Sequence, residues 1–428
     1  MKVVVLGCGW SGVVAALRLK SKYPSAGVVC LDKSFDGGLL RTEAVGGYLL
    51  DVGGSHVLFS RDPAVVNAIT AMGGRWVAKE RRAFVLLDGV FIPYPFENGI
   101  YVLPPERRAR YGLSLIRALM QGDRRPESFK EWILNTFGEE VAKDYLIPYN
   151  EKIWKRPLEE LSADWVYTPG RLPLPSLEDI VKAVAGMETV GYREQAVFRY
   201  PEGGIITQYR SALRKAEEAG VLLVKEEVKE VKKRADGFLI NGRLRADHIV
   251  STLPLRDLPA MLDPPPPEEV FKAAGRLDYN SVAVVGLGLR ARAPPQHWIY
   301  VPDRRVVFHR YAWISNYLPE PPEDRSALIA EITIPPSREV DTEALAAEAV
   351  RGLSELGIVR EKDVEVVKVW LHKYGYPIYT RTHRQDREAV ERYLAEIGIA
   401  TFGRWGNWHY WNTDVIYKKA MEIRNLVS

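Results

Sequence analysis

The chain has 428 residues, 27% charged and 46% hydrophobic, with a formal net charge of +4. This composition is typical of a globular protein of two or three domains, and the charge is too small to indicate nucleic-acid binding. The only cysteines, Cys8 and Cys30, exclude a disulfide framework or a cysteine-rich metal site, and no apolar run is long enough to span a membrane. We therefore expect a cytoplasmic protein.

The first segment has the pattern of a dinucleotide-binding unit. A β-branched run leads into Gly7, Gly9 and Gly12, which open a helical pattern, and a second apolar run ends in Asp32. In such units the glycines allow a tight turn, a close approach to a pyrophosphate and close packing of helix on strand, while the acid accepts hydrogen bonds from a ribose. The order of these parts predicts a Rossmann-like domain.

The middle of the chain alternates between strand and helix signals. Gly37 and Gly38 predict a turn where backbone lies against a flat ring, and Arg41 follows as a candidate phosphate or ring contact. Ser128 and Glu131 have the spacing of a helix capping box. Short strands are predicted at 48–51, 83–87, 90–93, 221–224 and 248–253, with a hairpin around 235–237. Helices are predicted at 63–72, over most of 104–164, and from the glycines at 203 and 204 through 219.

The last third predicts one antiparallel sheet. Its strands are expected at 281–287, 298–301, 306–311, 327–334 and 364–371, with a helix at 342–356, a short strand at 399–402 and a final helix from about 414. The fold class is thus α/β: a Rossmann-like dinucleotide-binding domain with an inserted helical domain and an antiparallel β-sheet domain. The expected boundaries are 1–82, 198–262 and 396–428 for the dinucleotide-binding domain, 104–176 for the helical domain, and 83–103 with 268–395 for the sheet domain.

Aromatic residues mark two candidate binding segments. Tyr94 and Phe96 form a platform on which a base can stack. Asn150 and Trp154 are four residues apart, so they share one face of a helix and could hold a nucleoside. For each pair, packing in a domain interior is an equally simple or simpler explanation.

Charged residues supply the remaining candidates. Arg171 lies in a proline-rich loop, and Arg310 ends the apolar run VVFHR, where a lone charge needs a partner. A guanidinium fork matches a diphosphate, although a surface salt bridge explains each arginine as well. His56 follows a glycine turn, and an aromatic-rich segment at 404–414 precedes a helix N-terminus suited to an anion. No carboxylate dyad, zinc spacing or serine-hydrolase motif stands out.

Taken together, these segments resemble the UDP-galactopyranose mutase family in its eukaryotic-like branch, within the wider group of amine oxidases and protoporphyrinogen oxidase. The resemblance covers nearly the whole chain. It is carried by the segments GGLLRT, DVGGSHVLFS, IPYPFENGIYVLP, PYNEKIW, VVFHRYAWISNYLP, YGYP and GRWGNWHYWNTD.

The resemblance implies FAD as cofactor, active in its reduced form, and a UDP-sugar as substrate. It therefore implies a Rossmann-like FAD-binding domain with an inserted helical domain and an antiparallel β-sheet substrate domain. By residue match, FAD would be bound by Gly7, Gly9, Gly12, Asp32, Gly38, Arg41, Val228, Arg404 and Asp414. Uridine would be held by Tyr94, Phe96, Asn150 and Trp154. The diphosphate would be held by Arg171, Arg310, Tyr376, Tyr410 and Asn412, with His56 in the loop beside the flavin. Two departures stand out: Ser55 is an extra residue before His56, and Glu97 stands where the family commonly has an amide. An ionised Glu97 could not donate a hydrogen bond to uracil.

The implied reaction interconverts UDP-galactopyranose and UDP-galactofuranose through an adduct between N5 of reduced flavin and the sugar. It requires a flavin reductant that the sequence does not identify, and it leaves homo-oligomerisation open. Two alternatives remain: a flavin oxidase or dehydrogenase acting on an amine or a porphyrinogen-type substrate, and a flavin or nucleotide-sugar binding protein without catalysis.

Overall fold

The fold is seen in a computed structural model that describes residues 1–122, 125–167, 174, 176–189 and 197–422. Within those ranges the strands are β1 Lys2–Leu6, β2 Gly27–Asp32, β3 Thr42–Val45, β4 Tyr48–Asp51, β5 Trp76–Glu80, β6 Ala83–Leu87, β7 Val90–Pro93, β8 Val197–Pro201, β9 Leu222–Lys225, β10 Val231–Arg234, β11 Gly237–Ile240, β12 Leu244–Ala246, β13 His248–Ser251, β14 Leu262–Asp263, β15 Tyr279–Leu289, β16 Trp298–Tyr300, β17 Arg310–Trp313, β18 Ser326–Ile334, β19 Val364–Pro377 and β20 Ile399–Thr401.

The helices in the same ranges are α1 Trp10–Lys22, α2 Pro63–Thr70, α3 Phe96–Gly99, α4 Pro105–Met120, α5 Phe129–Val141, α6 Ile147–Trp154, α7 Leu177–Val184, α8 Ile206–Glu218, α9 Glu268–Arg276, α10 Thr342–Glu355, α11 His383–Glu396, α12 Gly403–Gly406 and α13 Thr413–Glu422. A π-helical turn, Ala142–Leu146, joins α5 to α6. None of these helices is long and apolar enough to cross a bilayer.

Two main sheets organise the molecule. The first is parallel, with strand order β20-β13-β1-β2-β9. Alternate residues of β1 enter different cores: Val3 and Val5 pack toward α1 and α8, whereas Val4 and Leu6 pack toward the small β12-β11-β10-β14 sheet and α9. Both faces of the sheet are therefore buried, one by helices and the other by the small sheet and α9, as a parallel sheet requires.

The second main sheet has the order β19-β15-β18-β17-β16-β6-β7. One face packs against the parallel-sheet core through residues such as Val284 and Ile329, and the other is covered by α10. A separate apolar core lies among α4, α5 and α6. The α/β fold class with a parallel sheet, an antiparallel sheet and helical segments is therefore confirmed. The domain boundaries given above stay a prediction.

Three local predictions needed correction. The strand expected at 306–311 is instead Arg310–Trp313, so Arg310 begins the strand rather than ending it. The large sheet is not wholly antiparallel, because β16 pairs with β6 in parallel. Ser128 does cap α5 by accepting from the Glu131 N–H, but the Glu131 carboxylate accepts from the N–H of Glu127 instead of closing a reciprocal box.

Candidate active site

The turn between β1 and α1 has the geometry of a phosphate-binding turn. Gly7 has a φ of 79°, which favours glycine. A Cβ on Gly12 would lie 2.0 Å from the Gly7 carbonyl oxygen, so the helix approaches the turn too closely for any side chain. A Cβ on Gly9, in contrast, would have no protein atom within 4 Å. Gly9 therefore faces open space at the N-terminus of α1, where backbone N–H groups can meet an anion.

The acidic residue at the end of β2 is held beside this turn. Asp32 accepts hydrogen bonds from the backbone N–H groups of Cys8 and Ser34 (3.0 Å for Ser34). Burial raises the pKa of Asp32, and these two donors oppose the rise. Val228 is buried in the loop that follows β9, against the core that includes Leu31. These residues thus lie together at the carboxyl edge of the parallel sheet, where open α/β sheets bind ligands.

The C-terminal segment packs against the same turn. The indole N–H of Trp10 donates to the Thr413 carbonyl at 2.9 Å. A Cβ on Gly403 would lie 2.3 Å from Ser11 Oγ, so α12 packs directly on α1. Arg404 is buried, and one of its Nη atoms donates to the Gly375 carbonyl at 2.9 Å. Its Nε is buried without a hydrogen-bond partner among the described residues.

These features fit a dinucleotide cofactor. Gly9 and Gly38 both have free space where a Cβ would be, and Gly38 has a positive φ of 56°. A buried cationic N–H without an acceptor, at Arg404, fits an oxygen-rich group in the space between the two sheets. The first turn of α13 carries Asp414 beside this region.

Three other predicted ligands are placed less favourably or are not described. Arg41 is half-exposed and forms ion pairs with Asp36 at 2.8 Å and with Glu43 at 3.2 Å. Asn412 is exposed and accepts from the Ile416 N–H through its backbone carbonyl. Arg171 lies outside the described residues.

The predicted base-binding aromatics belong to a continuous aromatic cluster, formed by Phe96, Tyr145, Tyr149, Tyr300 and Tyr94. Along this series the ring centroids are 5.1, 5.8, 5.5 and 5.0 Å apart. Strand β16, the π-helical turn and α6 bring these rings together from distant parts of the chain. The cluster has the flat apolar walls on which a base can stack.

Asn150 and Trp154 share the inner face of α6, as their spacing predicted. The Trp154 indole N–H donates to Asn150 Oδ1 at 3.1 Å, and the Asn150 amide donates to the Leu146 carbonyl at 2.8 Å. The Trp154 ring lies 6.4 Å from the ring of Tyr376, on β19. The helix face therefore adjoins the aromatic cluster on one side and the charged group described next on the other.

Arg310 and Glu331 form the centre of that charged group. The register of β17 against β18 places them directly opposite each other, and they form a two-bond ion pair at 2.9 and 2.7 Å. The Tyr376 hydroxyl donates to the same carboxylate at 3.3 Å. The Tyr410 ring lies 5.5 Å from that of Tyr376, and the Arg404 guanidinium lies 4.2 Å from the Tyr410 ring centroid. Cationic and hydroxyl groups from three segments thus converge on one region.

His56 lies in the loop after β4, beside this group. Burial lowers the pKa of His56 to about 4, and the charges of Arg404 and Arg310 add to the effect while Glu331 opposes it. The imidazole is therefore neutral at physiological pH. Its Nε2 lies 3.2 Å from the Gly53 carbonyl, which only accepts, so Nε2 carries the proton and Nδ1 remains an acceptor.

Glu97 lies in surroundings that disfavour its ionised form. It is buried in α3, next to Phe96, and its Oε1 has no hydrogen-bond partner among the described residues. Burial raises the pKa of Glu97 to about 8. At neutral pH the carboxyl is mostly protonated and can donate a hydrogen bond, which an ionised carboxylate cannot.

Sequence reasoning missed several residues of this region. Tyr145, Tyr149 and Tyr300 complete the aromatic cluster, but nothing in their local sequence separates them from ordinary core tyrosines. Glu331 was detectable, because a carboxylate in the apolar strand SALIAEITI poses the same problem as Arg310 in VVFHR. Two opposite charges in apolar strands are mutual candidates for pairing.

The chain matches the family model of flavin containing amine oxidoreductases over residues 10–396. It belongs to the flavin-containing amine oxidoreductase family. Its cofactor is accordingly a flavin, in agreement with the geometry around Gly9 and Arg404. A curated relative, described as an uncharacterized protein in the nifH2 3′ region of Methanothermococcus thermolithotrophicus, is 43% identical over 53 residues, which is 12% of this chain. That match spans half the length of the relative.

Solved structures give a fuller comparison for this flavoprotein. A crystal structure of reduced UDP-galactopyranose mutase matches with a TM-score of 0.88 and 25% identity, covering 98% of this chain and 92% of the other. A protein from Exiguobacterium sp. 255-15, provisionally assigned as a protoporphyrinogen oxidase, matches with a TM-score of 0.75 and 17% identity, covering 98% and 97%. Putrescine oxidase bound to putrescine matches with a TM-score of 0.61 and 16% identity, covering 98% of each chain. The last two show a common fold.

Proposed function

We propose that this flavoprotein is a UDP-galactopyranose mutase, an isomerase that interconverts UDP-galactopyranose and UDP-galactofuranose. One observation carries the proposal: the aromatic cluster continues, through Trp154 and Tyr376, into the group around Arg310. A stacking surface followed by guanidinium groups matches a nucleoside followed by a diphosphate. The close fold match to the reduced mutase supports the same assignment.

Different residues of this chain then bind different parts of the substrate. Reduced flavin, when bound, supplies a nucleophile toward the anomeric carbon of the sugar. Arg310 balances the diphosphate charge, with Tyr376 and Tyr410 beside it. Because ring contraction has to release and recapture the nucleotide, a firmly held diphosphate keeps the reacting groups aligned. Neutral His56, in the loop expected to lie beside the flavin, offers Nδ1 as a hydrogen-bond acceptor.

Amine oxidation is the second candidate, favoured by family membership and by the putrescine oxidase fold match. The electrostatics of the site oppose it. Two cations, Arg404 and Arg310, and one anion, Glu331, act on His56, so an amine cation would meet an excess of positive charge there. An anionic substrate suits the same excess of positive charge.

The test is an isomerisation assay on the full-length holoprotein. Dithionite-reduced protein is mixed with UDP-galactofuranose, and the products are separated by chromatography. We expect UDP-galactopyranose to form with the reduced protein and not with the oxidised protein. Absence of that product, together with oxygen consumption on addition of putrescine, would instead establish the oxidase alternative.

A further inference from the structure

Glu331 has an unusually complete set of partners for a buried carboxylate. It is 1% exposed, in the middle of the apolar strand β18. Oε1 accepts from Arg310 Nε at 2.9 Å and from the Ser55 backbone N–H at 3.0 Å. Oε2 accepts from Arg310 Nη2 at 2.7 Å and from the Tyr376 hydroxyl at 3.3 Å. Burial would raise the pKa of Glu331, but the charge of Arg310, its hydrogen bonds and the Ser55 N–H lower it to about 2.

These partners come from three separate segments: the loop before His56, strand β17 and strand β19. The loop packs so closely that a Cβ on Gly54 would lie 3.1 Å from Glu331 Oε2. The extra residue Ser55 is held twice, by Glu331 through its N–H and by the Tyr317 hydroxyl, which lies 2.5 Å from Ser55 Oγ. The Glu331 carboxylate therefore links the loop that contains Ser55 to Arg310 and Tyr376, two of the proposed diphosphate ligands.

The ion pair also fixes which edge of Arg310 is free. Glu331 takes Nε–H and one Nη2–H of a guanidinium that has five N–H donors. The remaining N–H groups have no hydrogen-bond partner among the residues that the structure describes. The planar fork thus presents its opposite edge in one fixed orientation, with part of its charge already balanced.

We propose that Glu331 is a positioning residue, which orients Arg310 toward the substrate diphosphate and moderates its charge while holding the loop before His56. This inference rests on the proposed function. Without the carboxylate, Arg310 would attract a diphosphate more strongly but would lose its fixed orientation. Tighter binding of substrate and transition state alike does not raise kcat, whereas lost alignment lowers it.

The test compares Glu331→Gln with the wild-type holoprotein. We expect full FAD content, a Kd for UDP about two- to tenfold lower, and a kcat at least about tenfold lower. Glu331→Asp keeps the charge on a shorter side chain, so its UDP affinity should stay near that of the wild type while kcat recovers in part. Glu365→Gln, which loses an ion pair with exposed Arg290 on the same sheet, is the matched control and should change neither constant.

Three outcomes overturn the inference. They are a kcat of Glu331→Gln equal to that of the wild type, a higher Kd for UDP together with a lower kcat in that variant, or a kcat of Glu331→Asp that does not recover despite full FAD content. If the wild type forms no pyranose product, the proposed function fails, and inorganic pyrophosphate then replaces UDP as the probe. Tighter pyrophosphate binding by Glu331→Gln would support the moderation of Arg310, and weaker or equal binding would reject it.

Discussion

At the scale of single residues, two buried carboxyl groups show how partners decide protonation. Glu97 and Glu331 are both almost fully buried. Glu331 meets a guanidinium and a backbone N–H and has its pKa lowered to about 2, whereas Glu97 has an oxygen without a hydrogen-bond partner among the described residues and has its pKa raised to about 8. Burial disfavours the charged form of each, and at Glu331 the positive charge of Arg310 reverses this effect. One carboxyl is therefore a fixed anion and the other a hydrogen-bond donor at neutral pH.

Glu97 should make stability depend on pH. Its pKa of about 8 in the folded chain exceeds the ordinary value of 4.5, so its contribution to stability is fully present below pH 4.5 and is lost as pH rises through 8. Glu97→Gln removes this term, because its amide does not ionise. At pH 8 we expect the variant to be more stable than the wild type by roughly 2–4 kcal/mol.

Denaturant unfolding of both proteins between pH 5 and about pH 9 measures this difference. The two stabilities should converge toward the acid end of the range. A constant offset between the two curves would show that Glu97 is ionised to the same extent in the folded and unfolded chains, which would contradict the assignment of a neutral carboxyl.

At the scale of elements, the cofactor turn depends on contact between backbones. Helix α1 meets the turn after β1 so closely that Gly12 has no room for a Cβ, and α12 meets Ser11 with equal closeness at Gly403. Gly9, between them, has free space. Gly12 and Gly403 therefore allow close packing of the protein, and Gly9 leaves room for the cofactor.

Gly12→Ala should damage this turn. Its Cβ would lie 2.0 Å from the Gly7 carbonyl oxygen, so the helix has to move away from the phosphate-binding N–H groups. We expect a loss of stability of at least about 2 kcal/mol and a purified protein with little bound flavin. The flavin-to-protein absorbance ratio and the melting temperature measure both effects.

Gly27→Ala is the matched control. Gly27 begins β2, where a Cβ would have no atom within 4 Å. This variant should keep its flavin and its melting temperature. Full flavin content in Gly12→Ala would show that the turn tolerates displacement of the helix and would contradict the proposed role of close packing.

At the scale of the whole molecule, the site exists because separate segments meet above the carboxyl edge of the parallel sheet. The helical segment is tied to the large sheet by buried Asn280, whose amide donates to the carbonyls of Ile153 and Trp154 at 2.9 and 2.6 Å. Lys152, also buried, donates to the carbonyls of Val301 and Asp303. These bonds fix α6, with Asn150 and Trp154, against strands β15 and β16.

Asn280→Ala should loosen this junction. The last carbonyls of α6 lose their donors in a buried setting, which costs about 2 kcal/mol. Since α6 carries the proposed uridine contacts, we also expect a higher KM for the UDP-sugar with a smaller change in kcat. Thermal unfolding and steady-state kinetics measure the two effects, and Asn67→Ala, at an exposed position on α2, is the control that should change neither. An unaltered melting temperature in Asn280→Ala would exclude a role in joining the segments.

The sequence by itself determined the local elements and the cofactor turn. Hydrophobic periodicity, the glycines at 7, 9 and 12, and Asp32 specify strand, turn and helix through contacts between near neighbours in the chain. For the same reason, most strand and helix positions were predictable to within a few residues. The resemblance of motifs then indicated the flavoenzyme family that the family match confirms.

Only the tertiary structure decided which residues share a site and what charge they carry. The pairing of Arg310 with Glu331 depends on strand register, and the aromatic cluster gathers rings from four separate elements. The protonation of Glu97 depends on its burial and on which donors lie near it, and the residue type alone does not determine either. Such long-range contacts follow from how the sheets and helices pack together, and no local pattern in the chain encodes them.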